Sequence, residues 1–308
     1  NDLATGVNPS SHSSVDSYID ALVAPARAQS KDRYFTYMTS ITEENAYYNS
    51  GSSAGFGFRL SYNTSARRVY VTEAFENTPA LNAGIDRGDE ILEIGTTAGT
   101  MQTVSSIMAS SGAQGVVNAL GEASTSTTRT LRVNGTSGNR VVTLSMANYT
   151  LQPVSSRYGS RVITADGKQI GYINLRTFIE TANQPLRNAF ANFRAQGITE
   201  FIIDLRYNGG GLVSTAEVMG DLLGGNRGGT EVFTRTTFRT EKAANNTVHY
   251  FTPTSNSVSP VKIAFIGTGG TASASEVVIN GMQPFLGTNM ALVGTNTYGK
   301  PVGQIALD

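Results

Sequence analysis

Val261-Lys-Ile-Ala-Phe-Ile-Gly-Thr-Gly-Gly-Thr-Ala-Ser-Ala-Ser-Glu276 is the stretch whose reading decides the fold. Val261 to Ile266 is a short apolar strand, and Gly267-Thr-Gly-Gly270 breaks it. The apolar period then changes. Ala274, Val277, Val278, Gly281 and Met282 recur at helical spacing, so a helix is predicted from about Ser273. A strand, a glycine turn and a helix in that order put Ser273 at a helix mouth. A second apolar run, Met290 to Val293, leads to the turn Thr297-Tyr-Gly-Lys300. Val302, Gln304 and Ile305 then predict a further extended segment, on which Lys300 and Gln304 share a face.

Upstream, strands and helices alternate. Gln169 to Leu175 is a strand, and Leu186, Ala189, Phe190 and Phe193 mark a helix ended by Gly197. Phe201 to Leu205 is a continuous apolar strand, expected to be buried on both faces, and Leu212, Ala216, Met219 and Leu223 mark a second helix. This order implies right-handed crossovers and a mainly parallel sheet. Between the buried strand and its helix lies Arg206-Tyr-Asn-Gly-Gly-Gly211, where bare backbone can approach a ligand, and this loop is the natural partner of Ser273.

Composition narrows the chemistry. The chain has no cysteine and two histidines, His12 and His249. A thiol nucleophile and a Cys/His zinc site are excluded, and a Ser-His pair would rest on His249 alone, in what reads as an exposed strand. Serine activated by lysine is the nucleophilic alternative left. Lysine titrates at ~10.4 as it stands, so bringing it near 7 to 8 takes roughly 4 kcal/mol of desolvation or cationic repulsion. Charged residues make up 15 % and cancel to zero, which indicates neither a nucleic-acid surface nor a polybasic membrane patch. No apolar run approaches the ~20 residues of a membrane span. No signal segment is read in these residues. It opens on Asn1, which fits a processed product, and stops at Asp308 soon after a predicted strand, an end that reads as early.

At the amino-terminal end residues 1–13 are polar, Ser14 caps a helix carrying Tyr18, Leu22 and Val23, and a second short helix is predicted from Tyr34 to Ile41. From Gly51 the texture turns to strands. Gly55-Phe-Gly-Phe-Arg-Leu60 can pair with Arg68 to Val71, Asn77-Thr-Pro79 opens a short helix, and Arg87-Gly-Asp89 turns into Glu90 to Ile94. A helix is predicted near Ala113 to Leu120, and a hairpin turning at Asn134-Gly135.

Gly55-Phe-Gly-Phe58 together with Pro79-Ala-Leu-Asn-Ala-Gly-Ile-Asp-Arg-Gly-Asp-Glu-Ile-Leu92 resembles a PDZ domain. The resemblance implies that Phe56, Gly57 and Phe58 present N–H groups to a peptide carboxylate, with Val116, Val117 and Leu120 lining the side-chain pocket. Gly171-Tyr-Ile-Asn-Leu175, Asp204-Leu-Arg-Tyr-Asn-Gly-Gly-Gly-Leu212, Thr271-Ala-Ser-Ala-Ser-Glu276 and Thr297-Tyr-Gly-Lys300 with Gln304 resemble the tail-specific, or carboxy-terminal processing, serine proteases. That resemblance implies Ser273 as nucleophile, Lys300 as general base, Gln304 as the group orienting the lysine, and the N–H groups of Gly209 and Ala274 as the oxyanion hole. Taken alone, Ser273 with Glu276 is a capping box and Lys300 a solvated charge. Ser275 is the rival nucleophile, and Asp204 and Arg206 are structural ends of a strand.

The expected architecture is α+β and multi-domain: an N-terminal helical arm over residues 1–50, a PDZ-like β-rich domain over 51–150, and a ClpP/crotonase-like α/β serine protease core over 151–308. The resemblance implies an extracytoplasmic endopeptidase, in the periplasm or cell envelope. Its substrates would be proteins or peptides with a free carboxyl end, and it would need no metal or cofactor. Self-association is left open. Two rival readings are a ligand-binding protein on the same fold and an adaptor for which PDZ binding is the whole function.

Overall fold

A computed structural model describes residues 3–305 and divides the chain into two compact units, Asn1–Asn45 with Lys300–Asp308, and Ala46–Gly299. In the first, helix α1 (Val15–Ala28) starts at Ser14, whose Oγ accepts the Ser17 N–H at 3.1 Å while Ser17 Oγ accepts the Ser14 N–H at 3.2 Å. The helix predicted over Tyr34 to Ile41 does not form; α2 covers Ile41–Ser50 instead. Tyr34 takes φ +64°. The Asp32 carboxylate accepts the Phe35 and Thr36 N–H groups at 2.5 and 3.3 Å, competing with a helical ladder there. Ser40 Oγ, accepting the Glu43 N–H at 3.3 Å, is the cap that opens α2.

The second unit begins with β1 (Ser52–Gly55), β2 (Phe58–Asn63), β3 (Arg68–Ala74), the short helix α3 (Pro79–Asn82), β4 (Glu90–Gly95) and β5 (Gln102–Thr103). Helix α4 (Val104–Leu120), β6 (Thr128–Gly135), β7 (Gly138–Ser145) and β8 (Ala147–Thr150) follow. The strands form an antiparallel sheet in the order β2-β3-β4-β6-β7, with β5 added to β4, while β1 pairs with β8. Two expectations shift here. Helix α4 is longer than the predicted Ala113 to Leu120, because it also takes in Val104 to Ser111 across a break at Gly112 (φ +61°). The hairpin turns at Thr136-Ser137, with Gly135 opposite Gly138. Gly135 stays in the strand because a methyl there would lie 1.6 Å from Asp89 Oδ1, and Gly138 takes the left-handed conformation at φ +77°.

The second, mainly parallel sheet contains β9 (Ser160–Ala165), β10 (Lys168–Asn174), β11 (Glu200–Asp204), β14 (Lys262–Gly267) and β15 (Met290–Gly294), in the order β15-β14-β11-β10-β9. Only the β9–β10 pair is antiparallel. Helices α5 (Asn183–Ala195), α6 (Val213–Leu223) and α7 (Ala274–Leu286) supply the apolar stripe that meets it, and the hairpin β12 (Val232–Thr236)/β13 (Thr247–Tyr250) lies outside the sheet. Ile173, Phe201, Ile203, Ile263 and Phe265 pack with Leu186, Phe190, Met219 and Met282 in one core. The two-sided burial predicted for β11 is met on one face; Ile202, with Ala264 and Ile266 of β14, is half-buried. The segment after Lys300 forms no strand among the described residues.

One arginine joins the two sheets. Arg176, 1 % exposed and two residues past β10, donates from Nε to Glu73 Oε1 at 2.6 Å and from Nη1 to Glu76 Oε2 at 2.5 Å. Arg59 Nη2 donates to the Arg176 carbonyl at 3.0 Å, and Ser155 Oγ to Glu76 Oε1 at 2.6 Å. Burial alone would push the Glu76 carboxyl up; hydrogen bonds from Arg176 and Ser155 outweigh it and hold the group down at about 2. Removing Arg176 takes from the buried Glu76 carboxylate the arginine paired with it, while Glu73 keeps Arg59 Nη1 at 3.4 Å and Arg87 Nη2 at 3.8 Å. Arg176→Met is therefore expected to cost roughly 3–5 kcal/mol in urea unfolding. Because the Glu76 pKa is depressed from 4.5 to about 2 on folding, its contribution is fully present above pH 4.5 and fades as the pH falls toward 2. An Arg176→Met urea midpoint equal to wild type at neutral pH would contradict this.

Candidate active site

Strands β11 and β14 are parallel neighbours with Asp204 opposite Ile266, so the loops that leave their carboxyl ends rise side by side. Leu205 N–H donates to the Ile266 carbonyl at 2.9 Å, and Thr271 Oγ1 to the Leu205 carbonyl at 2.7 Å. Asn208, fully buried, stitches the loops together. Its carbonyl accepts the Ala272 N–H at 3.0 Å and Ser275 Oγ at 2.9 Å, its Nδ2 donates to the Leu175 carbonyl at 2.8 Å, and its Oδ1 accepts the Gly210 N–H at 2.9 Å. Ser275, the rival nucleophile, is thus fully buried with its hydroxyl committed to Asn208.

The predicted meeting of the glycine loop with Ser273 is present. A methyl on Gly210, at φ +102°, would lie 2.7 Å from Ser273 Cβ and 2.8 Å from the Ala274 nitrogen. Only hydrogen fits at that approach. Gly209, beside it, has nothing within 4 Å of the corresponding position. Ala274 is the first residue of α7, so its N–H is among the four that a helix leaves without an internal partner.

The backbone at Ser273 differs from that of an ordinary cap. Helix caps sit in the extended region, as Ser14 does at φ −151° and ψ 161°. Ser273 lies at φ +56° and ψ −119°, a conformation costing a non-glycine residue on the order of 1–3 kcal/mol. A sharp, strained strand-to-helix turn of this kind projects the side chain out of the turn.

Glu276 contributes more than the cap read from the sequence. It is 8 % exposed, and its Oε2 accepts the Ser273 N–H at 2.8 Å. Its Oε1 accepts Thr297 Oγ1 at 2.7 Å and the Gly299 N–H at 2.6 Å. One carboxylate therefore holds both the serine turn and the residue that precedes Lys300. The sequence carried no signal for this second duty, since Thr297 and Gly299 are distant in the chain.

In the unit that contains Lys300, its Nζ donates to Gln304 Oε1, so the predicted pair meets without the expected strand. Gln304 Nε2 donates to the Phe35 carbonyl, and Lys300 Nζ lies 5.1 Å from the Phe35 ring centroid. Lys300 is half-buried.

The other titratable candidates are occupied elsewhere. Asp204 receives Arg206 Nη2 at 2.6 Å and Tyr172 Oη at 2.8 Å. Burial opposes its charge, yet those bonds keep its carboxyl below the usual range, while burial and then Asp204 push Tyr172 up to about 12. Such a pair is a fixed end of a strand, as the sequence suggests. His249 sits on β13 with Nε2 3.0 Å from Asp221 Oδ1 on α6.

Beside the antiparallel sheet, the Phe56 carbonyl accepts the Ala80 N–H at 2.9 Å, and the Gly57 carbonyl accepts the Phe75 N–H at 2.8 Å. A trans peptide opposes its N–H to its C=O, so the N–H groups of Gly57 and Phe58 turn away from these partners. Strand β2 is a sheet edge, paired to β3 on one side. Val116 and Leu120 are buried in the core, Phe56 likewise, Phe58 is half-buried, and Val117 is 44 % exposed.

Residues 169–308 match the model of peptidase family S41, and residues 48–118 match that of the PDZ domain. The C-terminal processing peptidase, chloroplastic, of Tetradesmus obliquus is 27 % identical over 278 residues, covering 84 % of this chain and 53 % of that protein. The carboxyl-terminal-processing protease of Synechocystis is 26 % identical over 254 residues, covering 82 % and 54 %. The chain thus spans about half the length of these relatives. A crystal structure of a putative S41 protease from Bacteroides fragilis shares the fold at a TM-score of 0.67 and 22 % identity, over 97 % of this chain and 75 % of that one.

Glu276→Gln would turn an amide NH₂ toward one of three donors. It is expected to speed amide exchange at Ser273 or Gly299 at least tenfold and to cost about 1–3 kcal/mol of stability. Unchanged exchange at both amides would remove the bridging role of this carboxylate.

Proposed function

We propose that this chain, whose residues 169–308 match the model of peptidase family S41 and whose residues 48–118 match that of the PDZ domain, is a serine endopeptidase that cuts proteins captured by their carboxyl ends. On this reading residues 1–50 are an arm, 51–150 the peptide-binding domain and 151–308 the peptidase core. Ser273 Oγ gives its proton to the Lys300 amine and adds to the scissile carbonyl carbon, and Gln304 orients the lysine. The Gly209 and Ala274 N–H groups receive the developing oxyanion. The Lys300 ammonium then returns the proton to the leaving amine, and water repeats the sequence on the acyl-enzyme. Nothing in this chemistry calls for a metal or cofactor.

The observation that carries the reading is the strained conformation of Ser273 at φ +56° and ψ −119°, with the glycine loop pressed against it. A serine serving only as a cap would relax into the extended region. Tail capture is supported by the open β2 edge and by the outward N–H groups of Gly57 and Phe58, to which a peptide can add as a strand with its carboxylate at the loop. Work outside the cytoplasm, in a periplasm or cell envelope, follows from the family resemblance.

Ser273→Ala and Lys300→Ala are each expected to lower turnover of an unstructured substrate at least 10³-fold while melting like wild type. Tail-peptide binding should survive both changes and weaken at least tenfold when the peptide carboxylate is amidated. Chelators and thiol reagents should leave the rate unchanged. Wild-type protein that binds tails but never cleaves would make it an adaptor, and retained turnover in Lys300→Ala would remove the lysine from the mechanism.

A further inference from the structure

We propose that Phe35, in the turn after α1, is a positioning residue for Lys300; this rests on reading Lys300 as the general base. Two parts of the same residue hold the pair. The Phe35 ring lies under the ammonium, with its centroid 5.1 Å from Nζ, and the Phe35 carbonyl accepts Gln304 Nε2, whose Oε1 accepts the Lys300 N–H. A lysine offers only donors and a carbonyl only accepts, so one orientation of the Gln304 amide satisfies both. Phe35 therefore fixes the amide that orients the amine, and its ring sets the amine's other side.

The turn that presents Phe35 is itself built. Asp32, 8 % exposed, accepts the Phe35 N–H at 2.5 Å and the Thr36 N–H at 3.3 Å. Arg27 Nη2 donates to the Thr36 carbonyl at 3.2 Å, and its guanidinium lies 4.4 Å from the Tyr34 ring centroid. Arg33 is a second cation on the Phe35 ring, 5.4 Å from its centroid. Among the described residues, the charged groups beside Phe35 include Lys300, Arg33 and the Asp32 carboxylate, which Arg27 Nε faces at 3.7 Å. A lysine ammonium on four rotatable bonds is otherwise a poorly directed group. A ring face and an amide together give it a direction.

The ring interacts with the charged amine through its quadrupole, so removing it should ease loss of the proton while loosening the geometry. Phe35→Leu keeps apolar bulk and the backbone carbonyl. In the whole chain it is expected to lower kcat roughly tenfold with KM and melting temperature unchanged, since misplacing a reacting group is costly. The acidic limb of its kcat/KM profile should move to lower pH by about half a unit. Phe35→Trp, with a stronger ring quadrupole, should keep kcat near wild type and hold the limb at or above the wild-type pH. A Phe35→Leu enzyme with wild-type kcat and limb overturns the proposal, as does a Phe35→Trp enzyme as impaired as Phe35→Leu. If the leucine variant fails to fold, the tryptophan limb decides alone: a shift to lower pH overturns the proposal. Turnover in Lys300→Ala would instead sink the dyad itself, whatever the Phe35 variants do.

Discussion

Parallel pairing of β11 with β14 is the constraint from which the serine site follows. Neighbouring parallel strands end on the same edge, so the loop bearing Gly209 to Gly211 and the loop leading to Ser273 have to rise together. Asn208 converts that proximity into a fixed contact, with four hydrogen bonds made by one buried residue. In a buried, low-dielectric setting, bonds of this kind hold backbone groups in place before any substrate arrives. The close approach of Gly210 to Ser273 and Ala274 is the outcome.

A second, longer connection runs from the antiparallel sheet to the same loop. Arg176 is clasped by Glu73 and Glu76, which flank the Phe75 whose N–H binds the Gly57 carbonyl. Next to Arg176, Thr177 Oγ1 and the Phe178 N–H both donate to the Gly210 carbonyl, at 3.2 and 2.9 Å. The segment Arg176 to Phe178 thus touches a loop of each domain-like half. A buried ionic cluster is an expensive way to join two sheets, because each charge must be desolvated. What it provides is a directional contact, since Glu76 without Arg176 would be a buried carboxylate that has lost its arginine.

Glu276 and Phe35 show how residues with unremarkable sequence signatures acquire roles. Glu276 three residues after a serine is the commonest form of helix start. Its second oxygen finds Thr297 and Gly299 only because β15 runs parallel to β14 and returns the chain to the mouth of α7. Phe35 lies in the stretch from Tyr34 to Ile41 for which a helix is predicted. The Asp32 carboxylate, by capping Phe35 and Thr36, bends that stretch into a turn.

The amino-acid sequence by itself determined the alternating strands and helices of the parallel core, the serine at a helix mouth and its glycine-loop partner. These are set by local period, by turn residues and by apolar runs, all of which act over a few positions. Tertiary structure alone decided the rest: the positive φ of Ser273, the two-sided grip of Glu276, the burial of Asn208 and Arg176, and the turn at Phe35. Each depends on groups brought together by strand register or chain return, and a carboxylate, an amide or an arginine has no pattern in the chain that says which distant partner will satisfy it.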